Sequence, residues 1–159
     1  MKELAERRKE ANMTAIELLK QDHDEAMGMI ERLELVEQGA QLRGSNLALF
    51  GWLKSALTLH TLIEEQIFYH SLANLKETEE LIKKSYDEHR TVDGLLVKMS
   101  APSQDWRVTL GKLKAALQHH ISEEENELFP KAERLLGARR LEEMGRQIMN
   151  IKRGKAATA

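Results

Sequence analysis

The chain has 159 residues, no cysteine, 24 Lys and Arg against 26 Asp and Glu, and a formal net charge of −2. This length suits one domain whose core needs no disulfides, and the lack of thiols excludes iron–sulfur clusters, thiol catalysis and cysteine-bound zinc. The charge is scattered and leaves no basic stripe for phosphates, so no nucleic-acid partner is expected. With 2 Pro, 4% aromatics and 42% hydrophobic residues, the composition favours helices, and the fold class is read as all-α.

Residues 1–13 form a charged N-terminal extension beginning MKELAERRKE, and no apolar run follows it that would make a signal peptide or a membrane span. A cytoplasmic location with no membrane contact is the expectation. The first helix is predicted from about Thr14, where Thr14 and Glu17 have capping-box spacing, to a break at Gly39. A second extends from about Ser45 to Asn74. The third starts near Thr78, with Glu79 and Glu80 in the first turn where the helix dipole favours acids, and ends near Ser100 before Ala101-Pro102-Ser103. The fourth runs from about Gln104 to Leu136 with a kink expected at Pro130, and Gly137 separates it from a shorter amphipathic segment, Ala138 to Lys152. Residues 14–152 are thus read as an up-down-up-down four-helix bundle with an extra C-terminal helix, and 153–159 as a frayed tail.

An internal repeat supports this division. His23 and His89 each follow an acidic residue and precede a Gly by five positions, Gly28 and Gly94. His60 and His120 are each followed at the fourth and fifth positions by paired glutamates, Glu64-Glu65 and Glu124-Glu125, and then by Phe68 or Leu128. In an antiparallel hairpin, two residues share a depth when the turn lies midway between them. The midpoints of His23/His60, His60/His89 and His89/His120 fall near residue 41, Asn74 and Gln104, each at a predicted break. Four histidines on four helices are therefore predicted to share one layer.

Within that layer, His60 with Glu64 and His120 with Glu124 are i, i+4 pairs that project from one helix face. Ile63, Ile67, Leu96, Leu113 and Leu117 surround them, so the polar groups are predicted to point inward, where unpaired carboxylates would be costly. A cationic centre with nitrogen and oxygen ligands removes that cost. Four His and two Glu exceed one tetrahedral zinc but suit two metals sharing carboxylates, with iron favoured over manganese or zinc. The ferritin pattern of Glu-x-x-His does not occur before any of these histidines.

These residues resemble the hemerythrin family, in particular its HHE cation-binding branch. Asp22-His23, His60 through Glu64-Glu65, Glu88-His89-Arg90, and His120 through Glu124-Glu125 to Leu128-Phe129-Pro130 carry the resemblance, over about residues 14 to 152. It implies that His23 and His60 bind one iron, that His89 and His120 bind the other, and that Glu64 and Glu124 bridge. The implied cofactor is a pair of Fe2+/Fe3+ ions with an oxo, hydroxo or water bridge. Oxygen-carrying members have a further third-helix histidine in an HxxxH pair; Ser85 and Asp93 stand at the two candidate positions, so stable oxygen carriage is not expected. Asp93 is a further candidate ligand.

Other residues read more simply. Glu65 and Glu125 lie about 100° around their helices from the bridging candidates and are read as solvated, with a role behind the imidazoles as the alternative. His70 and His119 are read as surface residues, Met27 and Tyr86 as core, and Trp52 and Trp106 as packing residues. The function that emerges is a non-haem di-iron protein reacting with O2, peroxide or NO in sensing, scavenging or iron handling. A di-iron catalase or peroxidase-like enzyme is the alternative, and a metal-free interaction bundle the third reading. No protein partner is indicated.

Overall fold

Thr14 opens the first helix as its spacing with Glu17 predicts: the Thr14 N–H donates to Glu17 Oε2 at 2.8 Å, and the Glu17 N–H donates back to Thr14 Oγ1 at 3.3 Å. In the computed structural model, which describes residues 13–36, 43–101 and 105–158, this helix is α1, Ala15–Glu34. It is followed by α2, Gly44–Ile63, α3, Glu79–Ser100, α4, Trp106–Glu123, and α5, Phe129–Ala156. The predicted breaks at Gly39 and Pro102-Ser103, the start at Gln104 and the extension up to residue 12 lie outside the described residues. No strand occurs among the described residues, and none of their helices is long and apolar enough to cross a membrane.

Packing joins α1 to α2, α2 to α3, α3 to α4 and α4 back to α1, while α5 lies against α1. The α2–α3 connection is tied down by Thr78, fully buried, whose hydroxyl donates to the Leu72 carbonyl at 2.6 Å. Two apolar clusters fill the ring, one on each side of the histidine layer. Leu18, Leu19, Ile63, Phe68, Leu72, Ile82, Leu128 and Phe129 form one with Met144 and Ile148 of α5. Ala26, Ile30, Leu53, Leu57, Val92, Leu96, Leu110, Leu113 and Leu117 form the other.

Two features depart from regular helix. Directly after α2 and α4 the backbone widens into π-turns, Glu64–Phe68 and Glu124–Leu128, in which the Tyr69 N–H reaches the Glu64 carbonyl and the Phe129 N–H the Glu124 carbonyl, five residues back. Pro130, where a kink was expected, follows the second π-turn directly in the first turn of α5, and the backbone departs from regular α geometry just before it. The matching turn after α2 contains no proline, so proline is not its cause. Within α5 the non-helical residue is Gly137 (φ 74°, ψ 164°), a conformation open to glycine, and the helix then continues past Lys152 to Ala156.

Candidate metal centre

The buried polar side chains of the core include all six predicted donors. His23, His60, His89 and His120 come from α1, α2, α3 and α4, while Glu64 and Glu124 begin the two π-turns and are 0% and 1% exposed. Donor atoms of His23, His60, Glu64, His120 and Glu124 all lie within 4.8 Å of one another. His89 joins them, with Nε2 3.1 Å from Glu64 Oε2 and 3.3 Å from His120 Nε2. The imidazoles fall into two close pairs, with ring centroids of His23 and His60 4.9 Å apart and those of His89 and His120 4.8 Å apart.

Glu64 spans the two pairs. Its Oε1 is 3.1 Å from His60 Nε2 and 4.0 Å from His23 Nε2, and its Oε2 is 3.1 Å from His89 Nε2 and 3.8 Å from His120 Nε2. Glu124 uses one oxygen for both sides, with Oε2 3.2 Å from His23 Nε2 and 3.4 Å from His120 Nε2. Four of these facing atoms, His23 Nε2, His60 Nε2, Glu64 Oε1 and Glu124 Oε2, are sealed from solvent and have no hydrogen-bond partner. Buried polar atoms are seldom left in that condition, and a cation among them would satisfy all four at once. The residues present therefore fit a metal ion.

The orientation of each imidazole is set by a carboxylate from the preceding helix of the ring. Asp22 on α1 faces His60 Nδ1 on α2 at 3.3 Å, and Glu65 after α2 faces His89 Nδ1 on α3 at 2.9 Å. Glu88 on α3 faces His120 Nδ1 on α4 at 2.8 Å, and Glu125 after α4 closes the circuit on His23 Nδ1 of α1 at 2.9 Å. An ionised carboxylate only accepts, so each Nδ1 carries a proton and each Nε2 is the nitrogen turned inward, where its lone pair becomes available once a metal replaces any proton held there. Glu65 and Glu125 are thus not idle solvated residues, as the helical wheel suggested. Their sequence signal was present, in the doubled glutamates and in the acids preceding His23 and His89.

Tyr69 was missed. Its hydroxyl donates to Glu124 Oε1 at 2.5 Å and lies 3.3 Å from both Glu64 Oε2 and His89 Nε2. Five residues after Glu64, it would leave the inner face of a regular helix, and the π-turn brings it back. Phe129 occupies the matching place after Glu124 and stacks on His23 with centroids 5.9 Å apart, as Tyr69 stacks on His89 at 5.5 Å. The repeat of an aromatic nine residues after His60 and His120 was the available signal.

Of the third-helix positions, Ser85 is buried, donates to the Leu81 carbonyl at 3.0 Å and approaches the Tyr69 phenol, whereas Asp93 is exposed and takes no part. Tyr86 is half-buried and packs edge-to-face on Tyr69, and Met27 packs against the second apolar cluster. His70 and His119 are exposed as expected. Trp106 is buried but Trp52 is 67% exposed, so only Trp106 belongs to the core.

Charge balance explains the titration of the cluster. Burial pulls the His60 imidazole down, but Glu64, Asp22 and Glu124 outweigh it and push it up to about 10. His120 rises to about 11 in the same way, burial being overcome by Glu64, Glu88 and Glu124. Glu64 is held well below the ordinary carboxylate range by His60, His120 and His89 against the cost of its burial. Burial and the Glu64 and Glu124 carboxylates push the Tyr69 phenol well above its usual value. Two buried carboxylates demand compensating positive charge, which protons supply to the metal-free chain and a metal would supply in exchange for them.

A helical ring with a histidine and glutamate layer between two apolar clusters is the architecture of a cation-binding bundle. The chain belongs to the hemerythrin HHE cation-binding domain family, whose model matches residues 14–132. Among solved structures it is similar to a hemerythrin HHE cation-binding domain-containing protein from Mycobacterium kansasii, with a TM-score of 0.76 and 25% identity over 91% of this chain and 89% of that one. No curated protein matches the sequence significantly. The family match ends before the last part of α5, residues 138–156.

Proposed function

We propose that the chain is a non-haem di-iron protein that reacts with O2, peroxide or NO, in sensing, scavenging or iron handling. The observation that carries this reading is the set of facing, buried atoms without a hydrogen-bond partner, His23 Nε2, His60 Nε2, Glu64 Oε1 and Glu124 Oε2, inside a ring of four carboxylate-oriented imidazoles. His23 and His60 would hold one iron, His89 and His120 the other, with Glu64 and Glu124 shared. When bound, two irons supply a two-electron couple to small oxidants. The chain's own residues set the conditions: the carboxylate ring keeps every Nε2 aimed inward, the apolar clusters exclude bulk water, and Tyr69 engages Glu124 Oε1 so that Oε2 faces the histidines.

The test is anaerobic titration with ferrous iron, followed by separate additions of O2, peroxide and NO with optical spectra after each. Two irons per chain and a spectral response to at least one ligand are expected. Saturation near one iron per chain would refute the di-iron reading. Peroxide disproportionation is the second reading, favoured by a buried phenol among both shared carboxylates, the only O–H that touches them among the described residues. Oxygen evolution from peroxide distinguishes the two.

A further inference from the structure

The run His119-His120 followed by Glu123-Glu124 contains two i, i+4 pairs displaced by one residue. One residue turns the pair about 100° around the helix, so if His120 and Glu124 face the interior, His119 and Glu123 face the adjoining flank. The same displacement occurs on α3, where Glu88 precedes the inward His89. Because α3 packs on α4, Glu88, His119 and Glu123 meet on the outer side of the bundle.

Their geometry is that of a ligand set. His119 Nε2 lies 3.3 Å from Glu88 Oε1 and 3.4 Å from Glu123 Oε1, and all three donors fall within 4.8 Å. Donors bound at about 2.1 Å around a tetrahedral ion are separated by about 3.4 Å. Glu88 is shared between the layers: Oε2 accepts from His120 Nδ1 at 2.8 Å, while Oε1 is sealed from solvent and receives no hydrogen bond. Positive charge is already drawn to this spot, since Lys84 Nζ pairs with Glu123 Oε1 and lies 3.9 Å from Glu88 Oε1. That lysine is about half exposed and free to swing away, and His119, 58% exposed, leaves the outer side open for water to complete a coordination shell.

We propose that Glu88, His119 and Glu123 form a second, mononuclear site for a divalent transition-metal cation, linked to the inner centre through the Glu88 carboxylate and the His120 imidazole. One imidazole with two carboxylates selects a borderline ion such as Zn2+, Co2+ or Fe2+ over Mg2+ or Ca2+. Lys84 is its internal competitor. The two sites share Glu88, so a cation on Oε1 draws charge from Oε2 and loosens its hold on the His120 Nδ1–H.

Cobalt(II) tests this, because its visible absorption reports coordination and its amount can be counted by elemental analysis. The full chain and its His119→Ala, Glu123→Gln and Lys84→Ala variants are titrated in parallel. His119 is exposed, so its loss leaves the fold intact. The unaltered chain is expected to take up one more cobalt per chain than His119→Ala or Glu123→Gln, and Lys84→Ala to bind that ion several-fold more tightly. Identical stoichiometry and isotherms for the unaltered chain and His119→Ala would overturn the proposal, as would an unchanged affinity in Lys84→Ala. The comparison reads a difference between chains with the same inner donors, so it stands whatever metal the inner centre takes.

Discussion

Replacing Tyr69 by Phe removes one oxygen and leaves the ring. Phe129 occupies the equivalent place in the other hairpin and stacks on His23 much as Tyr69 stacks on His89, so the bundle accommodates a phenylalanine there. What is lost is the 2.5 Å hydrogen bond to Glu124 Oε1, which leaves that carboxylate oxygen without its phenol donor inside the bundle. A hydrogen bond to a buried charge is worth about 1.5–3 kcal/mol. For a chain of this size that corresponds to a fall of roughly 3–12 °C in the Tm of the metal-free protein, followed by circular dichroism. A Tm unchanged to within about 1 °C would refute the view that Tyr69 secures Glu124. The iron-loaded protein supplies an independent check. With its O–H committed to Glu124 Oε1, Tyr69 is not expected to bind iron as a phenolate, so Tyr69→Phe should leave the visible spectrum in place; loss of an intense visible band would show phenolate ligation.

Three further outcomes follow from the same geometry. Glu65→Gln and Glu125→Gln are expected to weaken metal binding by about 10–100-fold in chelator competition, and Glu64→Ala or Glu124→Ala by more; affinity unaltered by the first two would mean that the carboxylate ring does not orient the imidazoles. Gly145→Ala places a Cβ 2.1 Å from the Met13 carbonyl oxygen, where α5 crosses the start of α1, and should cost about 1–3 kcal/mol in urea unfolding. Equal urea midpoints would show that the entry to α1 yields freely. His60 and His120 titrate at about 10 and about 11 against an ordinary 6.5, so the folded metal-free chain holds protons that the unfolded chain releases. Their contribution to stability is complete below 6.5, declines above it and is gone once pH exceeds both raised values, so the metal-free Tm should fall from pH 6.5 to 9 while the metal-loaded profile stays flatter. Parallel profiles would contradict proton-for-metal exchange.

The depth of the site was legible in the sequence because antiparallel helices convert sequence distance into height. Equal spacing of His23, His60 and His89 about the predicted breaks requires one layer, and the i, i+4 spacing of His60/Glu64 and His120/Glu124 requires one face. The cap at Thr14 and the break at Gly137 were local and equally readable. What periodicity could not supply is the angle at which each helix meets its neighbour. The choice of Asp22 for His60 and Glu65 for His89 depends on helix rotation and side-chain reach across a gap, as does the burial of Ser85 while Asp93 points to solvent. The same rotation separates buried Trp106 from exposed Trp52. Tyr69 shows the limit most clearly. A uniform 3.6-residue period turns it away from Glu64, and only the packed structure, through a widened turn stabilised where two carboxylates and four imidazoles meet, rotates the following residues by enough to return its hydroxyl to the centre.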